Sequence, residues 1–141
     1  MSTVKPSPLL RFALYLDAGV SGLIAVVQLL LTDLLARLTQ LPSALLLETG
    51  VFMVLYAGTL LWLARRAELR AGWVLLIVLG NLGWALACLA LWLSGLAPGA
   101  PLGAAYLLMQ AVGVVVFAGL QYQGLAASAQ RGADVRLRAG I

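Results

Sequence analysis

Gly72–Leu96, GWVLLIVLGNLGWALACLALWLSGL, runs for 25 residues without a charge. A helix needs about 20 apolar residues to cross the roughly 30 Å hydrocarbon core of a bilayer, and this stretch has them. Three further runs of similar length flank it, over residues 9–31, 42–64 and 102–127, and the breaks between them, together with the two ends of the chain, hold most of the charge. The pattern predicts an all-α protein, a four-helix transmembrane bundle in a single domain spanning residues 1–141.

Composition agrees. The hydrophobic fraction is 63%, the charged fraction 10% and the mean hydropathy +1.04, whereas about a quarter of residues in soluble domains are charged. The segments before Leu9 and after Ser128 are too short to bury a core of their own. Net charge is +4, but the basic residues sit at the ends of spans, where anionic lipid headgroups are the nearer partner. Membrane lipids are therefore the expected surroundings, and no nucleic-acid role follows. Lys5 and Arg11 precede a first apolar run longer than the core of a cleavable signal peptide, and no small-residue cleavage site follows it, so this span is expected to stay in the mature protein.

The charges also orient the chain. Lys5, Arg11, Arg65, Arg66, Arg70, Arg131, Arg136 and Arg138 fall on one side of the spans and only Arg37 on the other. By the positive-inside rule both termini are cytoplasmic, which suits a multi-pass protein of a bacterial inner membrane and argues against dual insertion. Between spans one and two, Thr32 and Asp33 can cap a short interfacial helix, with Leu34, Leu35, Leu38 and Leu41 on one face and Arg37 and Gln40 on the other. Pro42 then ends it and suits the first turn of span two. Ala97–Pro101, rich in Pro and Gly, reads as a tight turn between spans three and four. Trp62, Trp73, Trp92 and Tyr122 mark span ends as headgroup-level rings. Ala18 and Gly22 have the small-xxx-small spacing of a close helix approach.

An internal repeat is discernible. Leu55-Tyr56-Ala57-Gly58 reads like Val116-Phe117-Ala118-Gly119, Glu48 matches Gln110, and Asp17 matches Asn81, at offsets of 61, 62 and 64 residues. Two helical hairpins of the same orientation, related by an axis along the membrane normal, would give this pattern.

The residues that carry chemistry are the polar ones inside the spans. An acid near a helix centre costs about 2.5–3.5 kcal/mol on insertion scales, so Asp17 and Glu48 are expected to turn inward to a partner or to be protonated. Counted by depth, Asp17, Ser21 and Asn81 form an inner layer that Tyr56 can reach. Glu48, Gln28 and Gln110 form an outer one, with Tyr106 near. Each carboxyl then faces an amide on another span, either as structural glue or as a proton or ligand relay.

Absences exclude much. The chain has no histidine and one cysteine, Cys88, which removes histidine-ligated haem or metal, histidine-based catalysis, thiol relays and intrachain disulfides. No phosphate-binding loop or serine nucleophile motif is present. No catalytic residue, metal or cofactor is expected, although a quinone or lipid needs only an apolar cleft and a few polar groups.

Leu14-Tyr15-Leu16-Asp17-Ala18, Leu41-Pro42-Ser43-Ala44-Leu45 and Gly80-Asn81-Leu82-Gly83-Trp84 resemble a group of small four-span bacterial integral membrane proteins of uncharacterised activity. The resemblance implies the same four-helix layout and no reaction. The leading expectation is a non-enzymatic accessory or assembly factor, or a small homo-oligomer. The alternatives are a proton-coupled small-solute carrier or channel using Asp17 and Glu48, and a lipid- or quinone-binding subunit of a larger membrane complex.

Overall fold

The structure, a computed structural model, describes residues 3–95 and 100–140. Its order is β1 (Thr3–Val4), α1 (Pro8–Leu30), α2 (Thr32–Thr39), α3 (Ser43–Ala64), β2 (Leu69–Arg70), α4 (Ala71–Leu93) and α5 (Pro101–Ala139). Helices α1, α3, α4 and α5 are each long and apolar enough to cross a membrane. Their outward faces carry large apolar side chains, among them Leu23, Leu55, Leu79 and Leu86, all about two-thirds exposed. Hydrocarbon, not water, is the solvent such a surface fits.

Local chemistry sets the helix ends. Ser7 caps α1 by accepting from Leu10 N–H at 3.2 Å, and Pro8 occupies the first helical position, where its missing N–H costs nothing. Thr32, expected to cap α2, instead donates back to the Gln28 carbonyl at 2.6 Å and closes the end of α1, while Leu31 precedes α2 without a side-chain cap. Gln40 ends α2 in the left-handed region at φ 58°. Pro42 lies one position before the first residue of α3. Of the apolar face expected on α2, Leu35 and Leu41 pack inward, whereas Leu34 and Leu38 are nearly half exposed. Most of the Ala97–Pro101 turn lies outside the described residues, and Pro101 opens α5.

The largest departure from expectation is α5. Span four was expected to end near residue 127, yet the helix continues to Ala139. Residues 126–139 are rich in good helix formers and lack proline, so only the apolar character stops there. Gly140, in the left-handed region, ends it.

The bundle is a ring in which α1 packs on α3 and on α5, and α5 on α4. The fourth wall differs: α3 and α4 are not a close-packed pair, and side chains span the gap. Phe52 stacks on Trp84 with ring centroids 5.7 Å apart. Both termini lie at one end, where Thr3–Val4 pairs antiparallel with Leu69–Arg70 and Ser7 N–H donates to Ser128 Oγ at 2.9 Å. One apolar cluster, with Leu10, Leu14, Leu60, Leu63 and Val74, fills this end. Another, with Leu41, Leu46, Ala85 and Leu107, fills the α2 end.

Burial follows the repeat in part, since buried Ala18, Ala25, Gln28 and Met53 have counterparts, Leu82, Leu89, Trp92 and Val114, that are not buried. In α1, Leu10, Ala13, Leu14, Asp17 and Ser21 are buried, and so are their counterparts 64 residues on in α4: Val74, Ile77, Val78, Asn81 and Ala85. Leu46, Gly50, Ala57, Leu60, Leu63 and Ala64 of α3 are matched 61 residues on by buried Leu107, Ala111, Ala118, Gln121, Gly124 and Leu125 of α5. Under this correspondence the α1/α5 wall is equivalent to the α4/α3 wall, yet only the first is closed. A residue pair shows why. Gly124 lets α5 touch α1, since a Cβ there would lie 2.6 Å from Leu10 Cα. The equivalent pair is Leu63 and Val74, both buried in the apolar cluster at this end and each too large for a backbone contact of that kind.

Candidate functional site: two polar layers inside the bundle

Asp17 is fully buried and sits where all four spans converge. On its own helix, Ser21 one turn later donates to Asp17 Oδ1 at 2.9 Å. From α3, Tyr56 Oη lies 2.9 Å from Oδ2. From α4, Asn81 Nδ2 donates to Oδ2 at 3.0 Å, and from α5, Gln121 Nε2 donates to the same oxygen at 2.7 Å. Asn81 gives its other hydrogen to Gln121 Oε1 at 3.1 Å. The sequence-derived inner layer of Asp17, Ser21, Asn81 and Tyr56 is thus assembled as expected. The residues matched by the repeat, Asp17 and Asn81, meet at its centre.

Hydrogen accounting in this cluster is informative. Tyr56 Oη is 2.9 Å from Asp17 Oδ2 and also 2.9 Å from Asn81 Oδ1, and a phenol has one hydrogen to give. The Tyr56 hydroxyl is therefore shared between the Asp17 carboxyl and the Asn81 amide oxygen, inside a cluster enclosed by side chains of four helices.

Gln121 was missed by sequence reading, although it is fully buried. A signal for it existed. Gln121 follows Gln110 by 11 residues, close to three helical turns, and Ser128 follows by 7, so all three share one stripe of α5. Gln28 follows Asp17 by the same 11 residues on α1. Eleven residues rise about 16 Å, which separates the two layers.

The outer layer is built differently from expectation. Gln28 is buried, and its Nε2 donates to Tyr106 Oη at 2.8 Å and to Thr49 Oγ1 at 3.3 Å. Gln110 accepts from Trp84 Nε1 at 3.1 Å. Glu48, expected to turn inward toward Gln110, is instead exposed on the outer side of α3, and Thr49 and Trp84 occupy the places it was expected to fill. The reason is rotational phase. Leu46, Gly50, Met53 and Ala57 define the face of α3 that packs into the bundle, and Glu48 falls on the opposite side, in one stripe with Val51 and Leu55. No hydrogen bond or ion pair engages Glu48 among the described residues. Asp17 thus lies inside the bundle and Glu48 on its outer surface.

Other expected features are in place at the periphery. Trp62, Trp73, Trp92 and Tyr122 are each about half exposed, and the Arg66 guanidinium lies 4.2 Å above the Trp62 ring. Arg11 donates to the Ala64 and Arg66 carbonyls at 3.3 and 3.1 Å, satisfying the end of α3. Gly22 of the small-residue pair abuts α3, with Ala57 Cβ 3.7 Å from where its own Cβ would stand. Cys88 is buried in the apolar cluster at the α2 end. Among the described residues no group of His, Cys, Asp and Glu is placed to hold a metal ion.

Comparison of the chain with protein-family models, curated proteins and solved structures finds no match.

Proposed function

We propose that this multi-pass membrane protein works by association, as a non-enzymatic accessory subunit or a small homo-oligomer, and that the outer stripe of α3 is the surface through which it associates. Glu48 carries the proposal. Its carboxyl lies about 8 Å along α3 from Ser43, exposed on a stripe whose neighbours Val51, Leu55 and Trp62 are each at least half exposed and apolar or aromatic. An acid facing acyl chains is costly, by about 2.5–3.5 kcal/mol at the centre of a span and less toward its ends. A second protein surface with a hydrogen-bond donor at that depth relieves the cost. The charge bias of the loops supports cytoplasmic termini, with Glu48 in the outer half of a bacterial inner membrane.

The carrier alternative draws less support, because it needs Asp17 and Glu48 on one route. One is enclosed by four helices, and the other faces out.

Cysteine cross-linking in native membranes tests the proposal. In a Cys88→Ser background, Leu55→Cys should cross-link, either to a second copy or to a fixed partner, and Leu23→Cys on the outward face of α1 should not. Glu48→Leu should weaken that cross-link. Equal cross-linking at both positions, or a chain that stays monomeric and gains stability from Glu48→Leu, would overturn it.

A further inference from the structure

Where α3 and α4 fail to close, near the α2 end, a cavity of about 150 Å³ opens between them. Leu45, Leu91 and Leu107 line its apolar part, and Trp84, Tyr106 and Gln28 bring polar atoms to it. Gln28 is 2% exposed, and its Oε1 is the single buried side-chain polar atom without a hydrogen-bond partner among the described residues. A buried acceptor left unmet costs about 1–3 kcal/mol.

The orientation of that amide is fixed by its neighbours. Thr49 gives its own hydrogen to the Leu45 carbonyl at 2.7 Å, so toward Gln28 it can only accept, and Nε2 must be the atom facing it. Tyr106 accepts from the same Nε2, which leaves the Tyr106 hydrogen free to donate. The cavity wall therefore holds an acceptor, Gln28 Oε1, covered as the side chains stand, beside a donor, the Tyr106 hydroxyl. One ligand hydroxyl answers both once the amide tips toward the cavity, giving its hydrogen to Gln28 and taking one from Tyr106.

Size and lining narrow the rest of the ligand. A protein cavity of about 150 Å³ lined by apolar side chains holds one benzene ring. Leu45 and Thr49 of α3 and Trp84, Ala87 and Leu91 of α4 line it on either side of the unclosed wall, which faces the bilayer. We propose that this cleft binds the hydroxyl-bearing ring of a phenol-type amphiphile, the chemistry shared by simple alkylphenols and by the reduced headgroup of a membrane quinol. A ring without the O–H hydrogen presents lone pairs to Gln28 Oε1 and is discriminated against. The site is independent of the α3 association surface, and each can fail without the other.

The test uses the full chain in lipid nanodiscs, with para-ethylphenol and its O-methyl ether as probes. They share the ring and ethyl group, and the ether exchanges the donated hydrogen for a methyl. Para-ethyltoluene, whose methyl replaces the hydroxyl at similar size, is the shape control and should bind no better than the ether. The phenol should bind about tenfold more tightly than the ether, the equivalent of one hydrogen bond of about 1.4 kcal/mol. Gln28→Leu should reduce that ratio to near one. Since Gln28→Leu also removes bonds to Tyr106 and Thr49, Ala87→Phe at the exposed rim serves as a second variant, and it should abolish binding of both probes in a bundle that remains intact by circular dichroism. A para-decylphenol arm separates the sources: a gain in affinity from the tail, measured against its partition into empty nanodiscs, identifies a membrane-borne quinol, and no gain identifies a small free phenol. Equal binding of phenol and ether to the unmodified chain, or binding of neither because water alone occupies the cleft, would overturn the proposal.

Discussion

Gly124 and Leu10 bring α5 and α1 into backbone contact: a Cβ on Gly124 would lie 2.6 Å from Leu10 Cα and 2.7 Å from Leu10 N. Helix association in a membrane relies on such close packing, because lipid tails are as apolar as the helices themselves. Gly124→Ala should therefore force the helices apart and cost about 1–3 kcal/mol despite the better helix propensity of alanine. Gly22→Ala is the control. Its added Cβ meets Ala57 at an ordinary 3.7 Å, so reversible unfolding in mixed micelles should show it neutral or slightly stabilising.

The Asp17 cluster predicts a split between two substitutions. Asp17→Asn keeps an oxygen for Asn81 and Gln121 and should leave the bundle folded. Asp17→Leu strips an acceptor from Ser21, Asn81 and Gln121 together, while Tyr56 keeps the Asn81 oxygen, and should cost about 1–3 kcal/mol, as when a buried polar group is orphaned. Unfolding in micelles measures both. Equal stability of the two variants would refute the assigned role of the carboxyl as the hub of this layer.

At the end carrying the termini, Ser128 joins the first and last spans. It accepts from Ser7 N–H, and Ser7 Oγ donates to the Gly124 carbonyl at 2.8 Å. Ser128→Ala should leave the buried Ser7 N–H unpaired and cost about 1–2 kcal/mol. Protease sensitivity before Pro8 should rise, while the spans themselves stay protected.

Arg11 reaches across from α1 to the carbonyl of Ala64, the last residue of α3, and to that of Arg66 just beyond it. Arg11→Leu should raise amide exchange at residues 63–66, with no change around Asp17. Uniform loss of protection would mean that the contact supports the whole bundle rather than one helix end.

Much of this architecture was written in the hydropathy of the chain. The expected span 9–31 differs from α1 by one residue at each end, and 42–64 from α3 by one at its start. Depth counting placed Asp17, Ser21, Tyr56 and Asn81 in one layer, and there they are. Depth does not give direction, however. Helix α3 is apolar on every side, so nothing in its sequence sets which way Glu48 turns, and only packing against α1 decided it. Gln121 escaped because it lies close to the expected end of span four, where polar residues pass as headgroup-level anchors. The length of α5 escaped because hydropathy reports where oil ends, and a helix of alanine, glutamine and arginine persists past that point.

The hub of the inner layer also bears on how the chain is born. Gln121 comes 104 residues after Asp17, and at about 5–20 residues per second a ribosome needs roughly 5–20 s to bridge that interval. Through that delay the acid gains its partners in order: Ser21 on its own helix, then Tyr56, then Asn81. The hub is thus complete only when the last span has been made, and the order of synthesis sets the order in which its hydrogen bonds become available.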